Sequence, residues 1–131
     1  MNEADANPPE ALSGGCLCGA VRYEARASVR EGYYCHCRMC QLAFGNTRAA
    51  FINVLQASVR WLGEPAKFHA SSSFALRGFC PECGTPLSFA YRDSKRMDLS
   101  VGSLDEPGRV HPVSQFAIES RIAGLDSGAD D

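Results

Sequence analysis

Apolar and polar residues alternate along this chain in short runs, each closed by glycine, proline or asparagine. Residues 20–26 (Ala-Val-Arg-Tyr-Glu-Ala-Arg) set apolar side chains at every second position, the period of a half-exposed strand. Residues 58–62 alternate again before the turn signal Gly63-Glu64-Pro65. Residues 87–91 and 97–101 follow the same rule, residues 74–79 and 113–118 read as further strands, and residues 48–54, with Ala-Ala-Phe-Ile, read as a buried one. Helical spacing is confined to residues 39–44, a short helix stopped by Gly45-Asn46. Residues 67–70 lead into Ser71-Ser72-Ser73, which reads as a surface loop. With seven or eight short strands expected, the fold class is mainly β.

The two ends break this pattern. Residues 1–13, polar and carrying Pro8-Pro9, read as a disordered leader, and residues 123–131, mostly Gly, Ala, Ser and Asp, as a disordered acidic tail. Residues 14–122 remain as one domain within a chain of 131 residues. Its size allows it to bury about two-thirds of its unfolded surface. The net charge of −2 conceals a positive body: residues 11–118 hold twelve bases against eight acids, while each end contributes −3. Such a body suits a small anionic ligand and lacks the concentrated basic face of a nucleic-acid binder, so no nucleic-acid partner is expected. No apolar run approaches the ~20 residues that span a bilayer. The acidic start carries none of the marks of a secretory signal. A cytoplasmic protein with no membrane partner is the expectation.

Seven cysteines change the picture most. Their odd number, without an export signal, favours metal binding over disulfides. They fall as Cys16-x-Cys18 flanked by glycines, Cys35-x-Cys37-x-x-Cys40, and Cys80-x-x-Cys83-Gly84. In extended chain, residues i and i+2 share a face, so each Cys-x-Cys addresses one ion. Glycines beside the sulfurs let the backbone turn and aim amide groups at them. Cys16, Cys18, Cys80 and Cys83 together supply the four thiolates of a closed tetrahedral zinc site, whose binding free energy is largely folding free energy. Cys35, Cys37 and Cys40 then lack an eighth cysteine, and the fourth position is open to water or substrate. His36 lies between two ligands on a strand, points away from them, and reads as a packed neighbour. Closure of the triad by His36 or by a loop residue leaves a purely structural reading open. Three thiolates put a net −1 on a zinc(II) centre, which suits holding another thiol as its thiolate. Arg38, Arg48 and Arg77 are candidates for substrate carboxylates, against the plainer reading of solvated surface charge.

The strings Gly-Gly-Cys-Leu-Cys-Gly-Ala-Val-Arg-Tyr (14–23), Tyr-Cys-His-Cys-Arg-Met-Cys (34–40) and Arg-Gly-Phe-Cys-Pro-Glu-Cys-Gly-Thr-Pro-Leu (77–87) resemble the glutathione-dependent formaldehyde-activating family, also called the GFA or centromere-protein-V domain family. The resemblance covers about residues 13–122. It implies a Mss4-like β-tent of short antiparallel strands organised around a structural zinc, and two zinc ions per chain. Cys16, Cys18, Cys80 and Cys83 would hold the structural ion, and Cys35, Cys37 and Cys40 the catalytic one. The implied activity is that of a zinc-dependent carbon–sulfur lyase. Its substrate is an adduct of glutathione, or a related thiol, with formaldehyde or another small electrophile, as in the making of S-hydroxymethylglutathione. A non-catalytic protein-interaction module of the same fold is the alternative. One departure stands out. Family members often carry His-Ile-Trp or His-Ile-Phe near the end and then Pro-Trp, where this chain has Gln115-Phe116 and Ala123-Gly124. The missing aromatic leaves one pocket wall thinner or supplied by a second copy, so a homodimer is an open expectation.

Overall fold

Two β-sheets share the core of the chain, whose computed structural model describes residues 8–126. The strands are β1 (Glu10–Gly15), β2 (Val21–Ala27), β3 (Gly32–Cys35), β4 (Ala49–Leu55), β5 (Arg60–Gly63), β6 (Lys67–Ser72), β7 (Ala75–Phe79), β8 (Pro86–Tyr91), β9 (Arg96–Ser100) and β10 (Pro112–Phe116). Two α-helical segments, α1 (Arg38–Phe44) and α2 (Ala123–Asp126), complete the set. A three-stranded sheet runs β1-β2-β5, and a seven-stranded sheet runs β10-β3-β4-β9-β8-β7-β6. The mainly β expectation holds.

Four details differ from the sequence reading. The presumed leader gives up its last residues to β1, which pairs with β2 from Glu10↔Ala27 to Gly15↔Arg22 and buries Leu12. One inward leucine is too small a local signal, and the pairing itself makes the strand. The serine loop is largely strand β6, paired with β7 through Phe68↔Gly78 and His69↔Arg77. As an edge strand, β6 tolerates polar side chains on both faces. One pairing is parallel, β10 against β3, in an otherwise antiparallel arrangement. The tail begins with the helical turn α2, while residues 127–131, like residues 1–7, lie outside the described residues.

Strand alternation divides the large sheet into two working faces. Ile52, Val54, Met97 and Leu99 pack with Leu12, Val21, Tyr23 and Ala25 of the small sheet to form the main core. Phe51 and Ala49 point the other way and form a second cluster with Cys40 of α1. Cross-strand register then sets a row on this second face: Asn53↔Asp98, Asp98↔Phe89 and Phe89↔Arg77. Tyr33↔Phe51 and Ser114↔Tyr33 extend the same face toward β10. That face is where the chemistry collects.

Candidate metal centres and the adjoining cavity

Cys16 and Cys18 sit in the turn between β1 and β2, and Cys80 and Cys83 in the turn between β7 and β8. Their four sulfurs lie within 4.8 Å of one another. Cys16 Sγ is 3.6 Å from Cys18 Sγ, and Cys18 Sγ is 3.8 Å from Cys80 Sγ. A tetrahedron with metal–sulfur arms of ~2.3 Å has edges of about 3.8 Å, so the donor set fits a tetrahedral thiolate-bound ion. The set joins a turn of the small sheet to a turn of the large one. Gly19 and Gly84 take φ values of 81° and 84°, the left-handed region the two turns require. Around them, Val21 N–H donates to Cys16 Sγ at 3.2 Å and Glu82 N–H to Cys80 Sγ at 3.4 Å.

Thr85, which the sequence reading passed over, completes the surroundings of this set. Its hydroxyl lies 3.2 Å from Cys83 Sγ and accepts from Leu17 N–H at 3.0 Å. The Thr85 hydroxyl and backbone N–H hold the Cys83 thiol down at about 5, which favours the thiolate that binds metal. A threonine two positions after the last cysteine was the available clue.

Cys35 ends β3, Cys37 caps helix α1, and Cys40 lies one turn in. Cys37 is extended (φ −61°, ψ 150°) and its sulfur accepts from Cys40 N–H at 3.3 Å, the bond that starts the helix. The three sulfurs form a second set within 4.8 Å, and among the described residues no further His, Cys, Asp or Glu joins them. Burial pushes the Cys40 thiol up to about 12, against the hydrogen bond from Arg77 beside it. His36 turns away, as its place between two ligands requires. It is fully buried, its Nε2 donates to Gln115 Oε1 at 2.6 Å, and its N–H donates to Phe116 O at 3.0 Å. Gln41 fastens the same corner, donating to His36 O at 2.8 Å and Ser120 O at 3.0 Å.

The triad opens onto a cavity of about 660 Å³ built over the second face of the large sheet. Of the three candidate arginines, only Arg77 reaches it. Arg77 Nη2 points at Cys40 Sγ, 3.6 Å away, and its guanidinium carbon lies 4.7 Å from the centre of the Phe89 ring. Arg38 instead donates to Gln41 Oε1 at 3.2 Å, and Arg48 stacks on Tyr34 at 3.7 Å beside a different cavity. Ser72 of the expected serine loop lines the triad's cavity. On the β10 side the wall is made by Val113, Ser114 and Phe116, whereas Ala123 and Gly124 are exposed and do not contribute.

Asp98 is a residue that the sequence reading did not single out. It alternates with Met97 and Leu99 on β9, and it is only 9% exposed. Asn53 Nδ2 donates to Asp98 Oδ1 at 2.8 Å, the Tyr33 hydroxyl bonds the same carboxyl, and Arg96 Nε donates to Asn53 Oδ1. Burial raises the Asp98 carboxyl above the ordinary range, against those hydrogen bonds.

The profile of the family described as glutathione-dependent formaldehyde-activating enzyme matches residues 11–120. An uncharacterized lyase of Schizosaccharomyces pombe is 39% identical over 82 residues, which is 63% of this chain and 59% of that protein. The chain thus spans about three-fifths of that relative's length. A Rhodobacter sphaeroides protein known from its crystal structure shares the fold, with a TM-score of 0.65 and 21% identity over 79% of this chain and 99% of its own. No helix among the described residues is long and apolar enough to cross a membrane. With the family profile covering nearly all of the two-sheet domain and both cysteine sets, this chain belongs to the glutathione-dependent formaldehyde-activating enzyme family.

Proposed function

We propose that the chain is a zinc-dependent lyase of the carbon–sulfur class that makes or cleaves the adduct between a small thiol and an aldehyde. S-hydroxymethylglutathione is the adduct to which the family description points. The observation that carries this reading is the triad of Cys35, Cys37 and Cys40, gathered without a fourth protein ligand against a cavity of ligand size. Cys16, Cys18, Cys80 and Cys83 have the closed character of a structural zinc site, and the triad the open character of a catalytic one. Zinc bound at the triad would act as a Lewis acid that holds a substrate sulfur as its thiolate at neutral pH.

The chain's own residues account for the rest. Arg77 sets a permanent positive charge beside Cys40 and offsets the negative charge that gathers when a fourth sulfur arrives. Phe51 and Phe89 form an apolar floor beside the triad, and that low-dielectric surface strengthens the electrostatic contact. His36 and Gln41 hold the strand end and helix start that carry the sulfurs, so the triad keeps its spacing as substrates exchange.

The test is exchange NMR on thiol and formaldehyde mixtures with the zinc-loaded protein. Faster making and breaking of the adduct than in buffer, abolished in Cys37→Ser, is the expected result. No acceleration with both sets filled would overturn the assignment.

A further inference from the structure

The walls of the cavity carry information about what it accepts. Among the described residues that line it, Arg77 is the only cation, while Glu31 and Asp98 are both acids. Arg77 is engaged by Cys40 through Nη2 and by the Phe89 ring, and its Nη1 is buried without a hydrogen-bond partner. A tripeptide thiol such as glutathione brings two carboxylates and one ammonium. The cavity offers the carboxylates one guanidinium, which Cys40 and Phe89 already engage, and holds two acids, of which the ammonium answers one. Much of the remaining surface is apolar. Met39, Phe51, Phe74, Phe89, Tyr91 and Phe116 line the space. Phe74, Tyr91 and Phe116 are 62%, 56% and 54% exposed around it. Rings stack or meet edge to face along the wall, with Phe74–Tyr91 centroids at 6.2 Å and Phe89–Tyr91 at 5.1 Å. Apolar surface of this kind, exposed together around one opening, marks a place that a ligand covers.

The floor ends in a polar group. Asp98 and Arg77 face the cavity two strands apart, on either side of Phe89, which puts their Cα atoms about 10 Å from each other. A sulfur held at the triad and a polar atom held at Asp98 are therefore separated by an aromatic surface. A carboxylate offers about four lone-pair positions. Asn53 and Tyr33 engage two of them, leaving room for one more partner.

We propose that this cavity selects a thiol adduct with a flat, apolar body ending in a hydroxyl or amide held by Asp98, and that it discriminates against dicarboxylate thiols of the glutathione type. The proposal rests on the reading of the triad as the place of the substrate sulfur. Binding free energy comes from the aromatic floor, and orientation from Asp98.

The experiment is titration calorimetry on the zinc-loaded full chain with three thiols: 4-(2-sulfanylethyl)phenol, 2-phenylethanethiol and glutathione. The phenol thiol is expected to bind about tenfold or more tighter than glutathione and than phenylethanethiol, the latter difference being the size of one hydrogen bond to a charged group. In Asp98→Asn the gap between the two aryl thiols closes while phenylethanethiol binding stays unchanged, which also reports an intact fold. Phe89→Leu weakens both aryl thiols more than it weakens glutathione. Glutathione binding as tightly as the aryl thiols, or an aryl gap that persists in Asp98→Asn, overturns the proposal and leaves the thiol-lyase reading standing. If none of the three thiols binds, the reading of the triad falls and the proposal with it.

Discussion

Serine at Cys80 and serine at Cys37 each remove one sulfur, and the two variants are expected to behave differently. The four-sulfur set ties the β1–β2 turn to the β7–β8 turn, so Cys16 and Cys80 close a loop on the order of 60 residues. The loop-entropy relation assigns such a closure about 4 kcal/mol of unfolded-chain entropy. The triad closes a stretch of roughly six residues, for which the same relation gives about 2 kcal/mol. That stretch is also held by other means. β3 pairs with both β4 and β10, and Gln41 ties the start of α1 to His36 O and Ser120 O. Cys80→Ser is therefore expected to lose the ion of the four-sulfur set and to melt roughly 12–20 °C below the parent, since 1 kcal/mol corresponds to about 3–5 °C at this size. Cys37→Ser is expected to lose one zinc, keep its far-ultraviolet dichroism, and fall by no more than about 10 °C. Metal analysis by mass spectrometry and thermal melts read by circular dichroism decide it. A Cys80→Ser protein melting within about 5 °C of the parent, or a Cys37→Ser protein that does not fold, would refute the division into one structural and one open set.

Two further outcomes are expected. Thr85→Val keeps the side-chain shape but deletes the hydroxyl beside Cys83, and removal of such an outer hydrogen bond lowers metal affinity by about tenfold or more. Chelator competition on the purified protein measures this, and an unchanged affinity would refute a role for Thr85 at the metal. The second concerns pH. Because burial raises the Asp98 carboxyl, the folded chain binds that proton more tightly than the unfolded chain does. The resulting stability is fully present below the unfolded value of about 3.9 and is lost as pH rises through the raised folded value. The Tm of the parent minus that of Asp98→Asn should therefore shrink as pH rises, and a difference that grows would contradict the burial argument.

What the sequence determined by itself was everything governed by short spacing. Alternation with a period of two gave β2, β5, β8 and β9 within a few residues, because the two faces of a strand impose that period locally, and the apolar run in residues 48–54 gave β4. Helix α1 was readable from its stop at Gly45, which takes the left-handed conformation that ends it. The cysteine pairs were readable as well, since two or three peptide bonds are enough to aim two sulfurs at one point, and the count of seven divided them into a set of four and a set of three. The removal of His36 from the ligand set followed from the same geometry.

Tertiary structure decided what depends on partners far along the chain. Strand β1 exists through its register with β2, and β6 through its register with β7, and neither strand shows a strong pattern of its own. Arg77 reaches Cys40 across 37 residues of sequence, while Arg48, eight positions from that cysteine, ends up on Tyr34. Asp98 carried no signal of its own in an alternating strand, and β9 lies inside the large sheet with both faces covered. Its polar face therefore became the floor of a cavity. Spacing along the chain aims neighbouring ligands at an ion. Which side chains meet a substrate is fixed by the order and register of strands, which no local pattern encodes.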